Sequence, residues 1–140
     1  MAKTIGIVTS GGDAPGMNAA IRAVTRIGHS KGFNVVGFER GWDGILANNF
    51  KKLTPRSVGG IVQLGGTILR TFRCPAFEKP ECVKLAAKNL QQNNVDALVV
   101  IGGDGSFRGA LDLSKVSGVQ VVGIPATIDN DIYGTDETIG

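Results

Sequence analysis

At 140 residues the chain has the length of one ordinary domain with a core of its own. Its 42% apolar and 19% charged residues exclude a disordered polyelectrolyte, and its 21 glycines, about twice the usual ~7% share, lack the every-third-residue repeat of collagen. The net charge of +3 comes from scattered basic residues, of which only Lys51 and Lys52 adjoin, and this argues against a nucleic-acid surface.

Thr4–Thr9 is a short apolar strand that begins directly after Met1-Ala2-Lys3, which leaves no room for a signal peptide. A polar loop, Ser10–Pro15, comes next. From Gly16 to about Lys31, apolar residues at 17, 20, 21, 24 and 27 have helical spacing. Arg22 and Arg26 lie four apart on that helix, a spacing that puts them on one face and that a solvated surface would also produce. Asn34–Glu39 predicts the second strand, and Arg40–Gly44 a loop containing Trp42, which reads as packing. Thr54-Pro55 predicts a helix start, a capping hydroxyl before a first-turn proline. Gly65-Gly66-Thr67 opens an irregular segment that runs through Arg73-Cys74-Pro75.

A further helix is expected from about Pro80 to Asn93, with Val83, Leu85, Ala86 and Leu90 apolar. Then come a strand at 97–101, a helix from Ser106 to about Leu113, and a strand at 119–124. Strands alternating with helices predict an α/β three-layer sandwich with a mainly parallel sheet. No repeat, low-complexity tract or linker divides the chain. Cys74 and Cys82 lack CxxC spacing and His29 is the single histidine, so a zinc site is not expected and a reducing cytosol fits. No apolar run approaches the ~18 residues of a membrane span, and the expectation is a soluble, cytoplasmic protein with neither membrane nor nucleic acid as partner.

Ligands of such a sheet gather at the carboxyl ends of its strands. Three polar loops leave those ends, at 10–15, 102–106 and 127–131. Glycines between a strand and a helix expose backbone N–H groups that can cradle phosphate oxygens. Carboxylates interleaved with them, as in Gly102-Gly103-Asp104-Gly105-Ser106 and Thr127-Ile128-Asp129-Asn130-Asp131, would repel a bare phosphate. They make sense where one holds a metal ion and another takes a proton, the mixture that phosphoryl transfer needs. Tight turns and caps would explain each loop singly. No G-x-x-x-x-G-K-[ST] loop is present, which excludes the ordinary P-loop. A dinucleotide fingerprint would have one residue too many and Asp104 inside its pyrophosphate loop.

In their order, Ser10–Asn18, Gly65-Gly66-Thr67, Arg73-Cys74, Gly102–Ser106 and Pro125–Asp131 resemble the motifs of the bacterial-type ATP-dependent 6-phosphofructokinases, from residue 3 to 140. The resemblance implies phosphoryl transfer from ATP to the 1-hydroxyl of fructose 6-phosphate, with Asp129 as catalytic base and sugar contact and Thr127 as a second sugar contact. It implies an ATP site at Gly12, Arg73, Cys74, Gly103, Asp104, Gly105 and Ser106, with Asp104 as the Mg²⁺ ligand. Arg22 and Arg26 match the arginines that hold an allosteric effector phosphate, and a nucleotide effector is expected. Many bacterial relatives carry an acidic residue near Gly60 in that effector site, and its absence here implies altered effector binding. Pyrophosphate-using relatives typically have Asp where Gly105 stands and Lys where Ala126 stands, so ATP is the expected donor.

Members of the family are more than twice as long. The resemblance therefore implies that residues 1–140 are the nucleotide-side portion of an enzyme expected to be a homotetramer, with the rest of the sugar-phosphate domain absent and no turnover by the piece alone. Two rival classes remain: a non-catalytic nucleotide-binding or regulatory module, and the lipid and NAD kinases that share Gly-Gly-Asp-Gly. The latter do not combine it with motifs like Gly11–Asn18 and Thr127–Asp131.

Overall fold

Ile7 and Val8 are both fully buried, on opposite faces of the first strand, β1 (Thr4–Thr9). A strand buried on both faces belongs in the middle of a sheet covered by helices. The computed structural model describes residues 2–12, 14–72, 74–127 and 138–139, with Ala76 described for its backbone alone. The remaining elements are α1 (Met17–Ser30), β2 (Asn34–Phe38), α2 (Trp42–Leu46), β3 (Phe50–Leu53), α3 (Pro80–Gln92), β4 (Ala97–Gly102), α4 (Asp104–Val116) and β5 (Gln120–Pro125), with short 3₁₀ turns at Ile61–Gln63 and Pro75–Glu78.

The strand order is β3-β2-β1-β4-β5. β1 pairs in parallel with β2 and β4, and β4 with β5, whereas β3 runs antiparallel to β2. One face packs Ile7, Val35 and Ile101 against Met17 and Ile21 of α1. The other packs Val8, Leu98 and Val100 against α2, α3 and α4 through Ile45, Leu90 and Leu113. This is the expected three-layer, mainly parallel α/β architecture. The chain reverses direction along the sheet at β1, so the ends of β1 and β4 lie side by side, the place where such folds bind ligands.

Four local expectations need correction. The segment around Trp42 is a short helix, not a loop. β3 was not expected, because only Leu53 of its four residues is buried and Lys51 and Lys52 face solvent, as suits an edge strand. Thr54 does cap: its Oγ1 accepts from the Ser57 amide at 3.2 Å while its own amide donates to Ser57 Oγ at 2.8 Å. Beyond the cap, however, the chain makes a run of turns and one 3₁₀ turn, since Gly60 adopts a left-handed φ of 76° that interrupts a helix. Finally, α4 starts at Asp104, two residues earlier than expected, and extends to Val116.

α2 tucks closely beneath the end of β2. A Cβ at Gly44 would overlap the carbonyl oxygen of Glu39, a backbone atom that cannot swing away. Gly44→Ala is therefore expected to cost about 1–3 kcal/mol as an overpacked site, read as a lower urea midpoint with an unchanged slope.

Candidate functional site

The carboxyl ends of β1, β4 and β5 meet because glycines let the backbones that leave them touch. After β1, the Ser10 amide donates to the carbonyl of Ile101 at 3.0 Å, which ties the first loop to β4. A Cβ on Gly102 would lie 2.6 Å from the Ser10 carbonyl oxygen and 2.6 Å from Ser106 Oγ, so only glycine allows this approach. After β5, the Ala126 amide donates to the Gly102 carbonyl at 2.9 Å. Thr127 Cβ would then stand 3.6 Å from a Cβ built on Gly103.

Together the described residues at these strand ends form the floor of a cleft of about 980 Å³. Gly12, Cys74, Gly103, Asp104, Gly105, Ser106 and Thr127 all line it, so the structure gathers at one place these residues expected to contact ligand. Arg73 and Asp129 lie outside the described residues, as do Asp13 and Asp131. Arg22 and Arg26 do share one face of α1, where with Ser30 they border a separate shallow hollow of about 430 Å³.

A single residue, Gly103, separates the end of β4 from the start of α4, and it offers no side-chain cap. The amides of the first turn are thus open to the cleft, with the positive end of the helix dipole behind them. A Cβ at Gly12 or Gly105 would meet nothing within 4 Å, so both glycines border empty space that a ligand can enter. Ser106, by contrast, is buried beneath the loop. An anion is the natural occupant of this floor.

Asp104 projects from the same turn, its side chain 44% exposed, and pairs with Arg108 one turn on at 3.0 Å. So exposed a pair contributes under about 1 kcal/mol, and it can open when a ligand arrives. Among the described residues no group of three or more His, Cys, Asp or Glu could hold a metal ion.

The far side of the cleft is apolar, built from Trp42, Phe72, Pro75 and Phe77. Trp42 and Phe77 stack with centroids 4.4 Å apart and planes within 3°, and the Arg40 guanidinium sits 4.7 Å from the Phe72 ring centroid. Sequence reasoning took Trp42 for packing and did not single out Phe77 or Arg108. The one available signal was the four-residue spacing of Arg108 from Asp104.

The Gly65-Gly66-Thr67 segment acts as a clasp outside the cleft. Buried Asn18 accepts from the Ile68 amide at 2.7 Å and donates to the Leu64 carbonyl at 3.2 Å. Thr9 Oγ1 donates to the Arg70 carbonyl at 3.0 Å and accepts from Thr67 Oγ1 at 3.0 Å. These bonds pin the 64–70 stretch to the first turn of α1 and the end of β1, and lead the chain to Phe72 and Cys74 in the cleft wall.

The family model named Phosphofructokinase matches residues 4–140. The chain is 59% identical over 138 residues to the ATP-dependent 6-phosphofructokinase of a Thermoanaerobacter species, covering 99% of this chain and 43% of that protein. It is 54% identical over 138 residues to ATP-dependent 6-phosphofructokinase 2 of Bacteroides thetaiotaomicron, covering 99% and 42%. The chain thus spans less than half the length of these curated relatives. Among solved structures, Pichia pastoris phosphofructokinase in the T-state superposes with a TM-score of 0.93 at 41% identity, covering 100% of this chain and 17% of that one. A pyrophosphate-dependent phosphofructokinase from Marinobacter aquaeolei shares the fold at a TM-score of 0.82 and 19% identity, covering 96% of this chain and 36% of that one.

Proposed function

The chain belongs to the phosphofructokinase family, and on that premise we propose that it forms the nucleotide side of an ATP-dependent 6-phosphofructokinase. The reaction is transfer of the γ-phosphoryl group of ATP to the 1-hydroxyl of fructose 6-phosphate, giving fructose 1,6-bisphosphate and ADP, in the cytoplasmic reactions of glycolysis. The observation that carries this reading is the cleft itself. Open first-turn amides, the Asp104 carboxylate beside them and an apolar wall suit, respectively, the phosphates, the metal and the base of a nucleotide.

The amides of Gly103 to Ser106 would receive phosphate oxygens, with Arg73 adding charge. One carboxylate, Asp104, fits Mg²⁺, which is commonly held by one or two carboxylates together with substrate phosphates and water. When bound, it neutralises charge on the transferring group. Thr127 contacts the sugar beside its reacting hydroxyl, and Asp129 takes the hydroxyl proton as the oxygen attacks phosphorus. The bond to the bridging oxygen of ADP then breaks. Positioning and charge supply most of the rate in such reactions.

The rest of the full-length enzyme would complete the sugar-phosphate site, in a homotetramer. Arg22 and Arg26 would accept the phosphate of a nucleotide effector on α1. The four-residue spacing and the shared hollow support that assignment.

The donor is the sharpest test. A carboxylate placed at Gly105 would extend into the open cleft against the nucleotide phosphates, where like charges cost several kcal/mol. In a coupled assay on the full-length enzyme, Gly105→Asp should raise KM for ATP by at least about 10-fold and leave KM for fructose 6-phosphate little changed. Unmodified enzyme that turns over faster with pyrophosphate than with ATP would overturn the proposal.

A further inference from the structure

The apolar wall is held by something outside the cleft. α2 has five residues, too few to be stable alone, yet it carries Trp42 into the wall. Two of its last carbonyls, one of them already accepting the Asn48 amide at 3.3 Å, also meet a side chain from α3. Asn89, 5% exposed, donates through Nδ2 to the carbonyl of Ile45 at 2.9 Å and to that of Leu46 at 3.1 Å. One turn later, Asn93 Nδ2 donates to Asn48 Oδ1 at 2.8 Å. The opposite end of α3 follows directly on the 3₁₀ turn Pro75–Glu78 that carries Phe77. One helix therefore governs both stacked rings, Phe77 through the chain and Trp42 through the Asn89 carboxamide.

α4 closes the arrangement. A Cβ on Gly109 would stand 3.2 Å from the Phe77 ring and 3.4 Å from Trp42 Nε1, so α4 lies flush against the edges of the stack. A ring displaced along α2 would meet α4 or leave the wall. The stack has one seat, and Asn89 is the buried side chain that bonds the end of α2 directly.

We propose that Asn89 is a positioning residue for nucleotide selection: by fastening the end of α2 it keeps Trp42 stacked on Phe77 as the wall for the base. The proposal rests on the nucleotide-site assignment above. It predicts a defect confined to the base half of the cleft, because the phosphate loops hang on β1, β4 and β5 and, among the described residues, share no hydrogen bond with Asn89.

The test uses the full-length enzyme carrying Asn89→Asp, which keeps shape and loses both donors. Binding of Mg-ATP and of magnesium tripolyphosphate, which has no base, is measured by calorimetry. The expected result is about three- to tenfold weaker Mg-ATP binding, the worth of a well-placed aromatic contact, with tripolyphosphate binding unchanged. Trp42 is the only tryptophan of this sequence; its emission, assigned by subtracting a Trp42→Phe variant, should shift to longer wavelength. Asn89→Gln, which restores the donors on a longer arm, should recover part of the loss. If Asn89→Asp fails to fold, Asn89→Ser is measured in its place with the same expectation. Equal loss of both ligands, or no loss of either, overturns the positioning role. Failure of the unmodified enzyme to bind Mg-ATP would instead remove the nucleotide assignment beneath it.

Discussion

Asp129→Ser in the full-length enzyme is expected to lower kcat by about 100- to 10,000-fold, the range that general-base catalysis supplies. Both KM values should change little beside kcat, because a base does most of its work in the transition state and the Asp129 contact is only one part of sugar binding. The physical case lies in the segment that leads to it. The Ala126 amide is bonded to Gly102, and the Thr127 amide to the carbonyl of Ile139 at 2.9 Å, with Thr138 Oγ1 donating to the Thr127 carbonyl at 2.7 Å. This double anchoring brings the chain to the cleft floor two residues before Asp129. Serine is smaller, uncharged and a poor base, so it removes the proton acceptor without adding bulk. Single-turnover phosphoryl transfer measured by rapid quench isolates the chemical step. A single-turnover rate within a few-fold of the unmodified enzyme would show that the proton leaves by another route.

Much of this molecule was legible from its sequence, for physical reasons that also set the limit. β1, β2 and β4 announce themselves as apolar runs because helices bury both faces of the inner strands, and α1 and α3 because one stripe of each faces the sheet; β5 reads as an apolar run too, although it stands at the edge of the sheet with Val122 exposed. The floor of the cleft was legible too, since glycines that permit backbone contact must fall at strand ends. β3 was not, because an edge strand that buries only Leu53 has no alternation to detect. Nor was α2, whose five residues are held by Gly44 beneath β2 and by Asn89 from α3, both tertiary causes. The apolar wall escaped for the same reason. Trp42, Phe77 and Gly109 are far apart in sequence and meet only once α3 and α4 are packed.

Asp104→Ala should produce a different defect, one that added metal partly relieves. Loss of the ligand is expected to raise the Mg²⁺ concentration for half-maximal rate by about 10- to 100-fold, since even supporting residues of metal sites matter on that scale. At saturating metal kcat should still fall by about 100- to 1,000-fold, the usual effect of removing a transition-state charge stabiliser. Equilibrium binding of Mn²⁺ in the presence of ADP gives a readout independent of turnover and should weaken in parallel. Two controls separate the metal from blander roles of the same carboxylate. An acid in the first turn of α4 also favours the helix dipole, and it pairs with Arg108. Arg108→Met breaks the ion pair and leaves Asp104 in place; an exposed pair worth under about 1 kcal/mol limits its effect on metal binding to about fivefold. Asp104→Asn keeps the shape and a hydrogen-bonding oxygen but not the charge. A defect in Mn²⁺ binding as deep in Asp104→Asn as in Asp104→Ala points to the negative charge. Recovery by Asn would assign Asp104 to helix capping and leave the metal without its protein ligand.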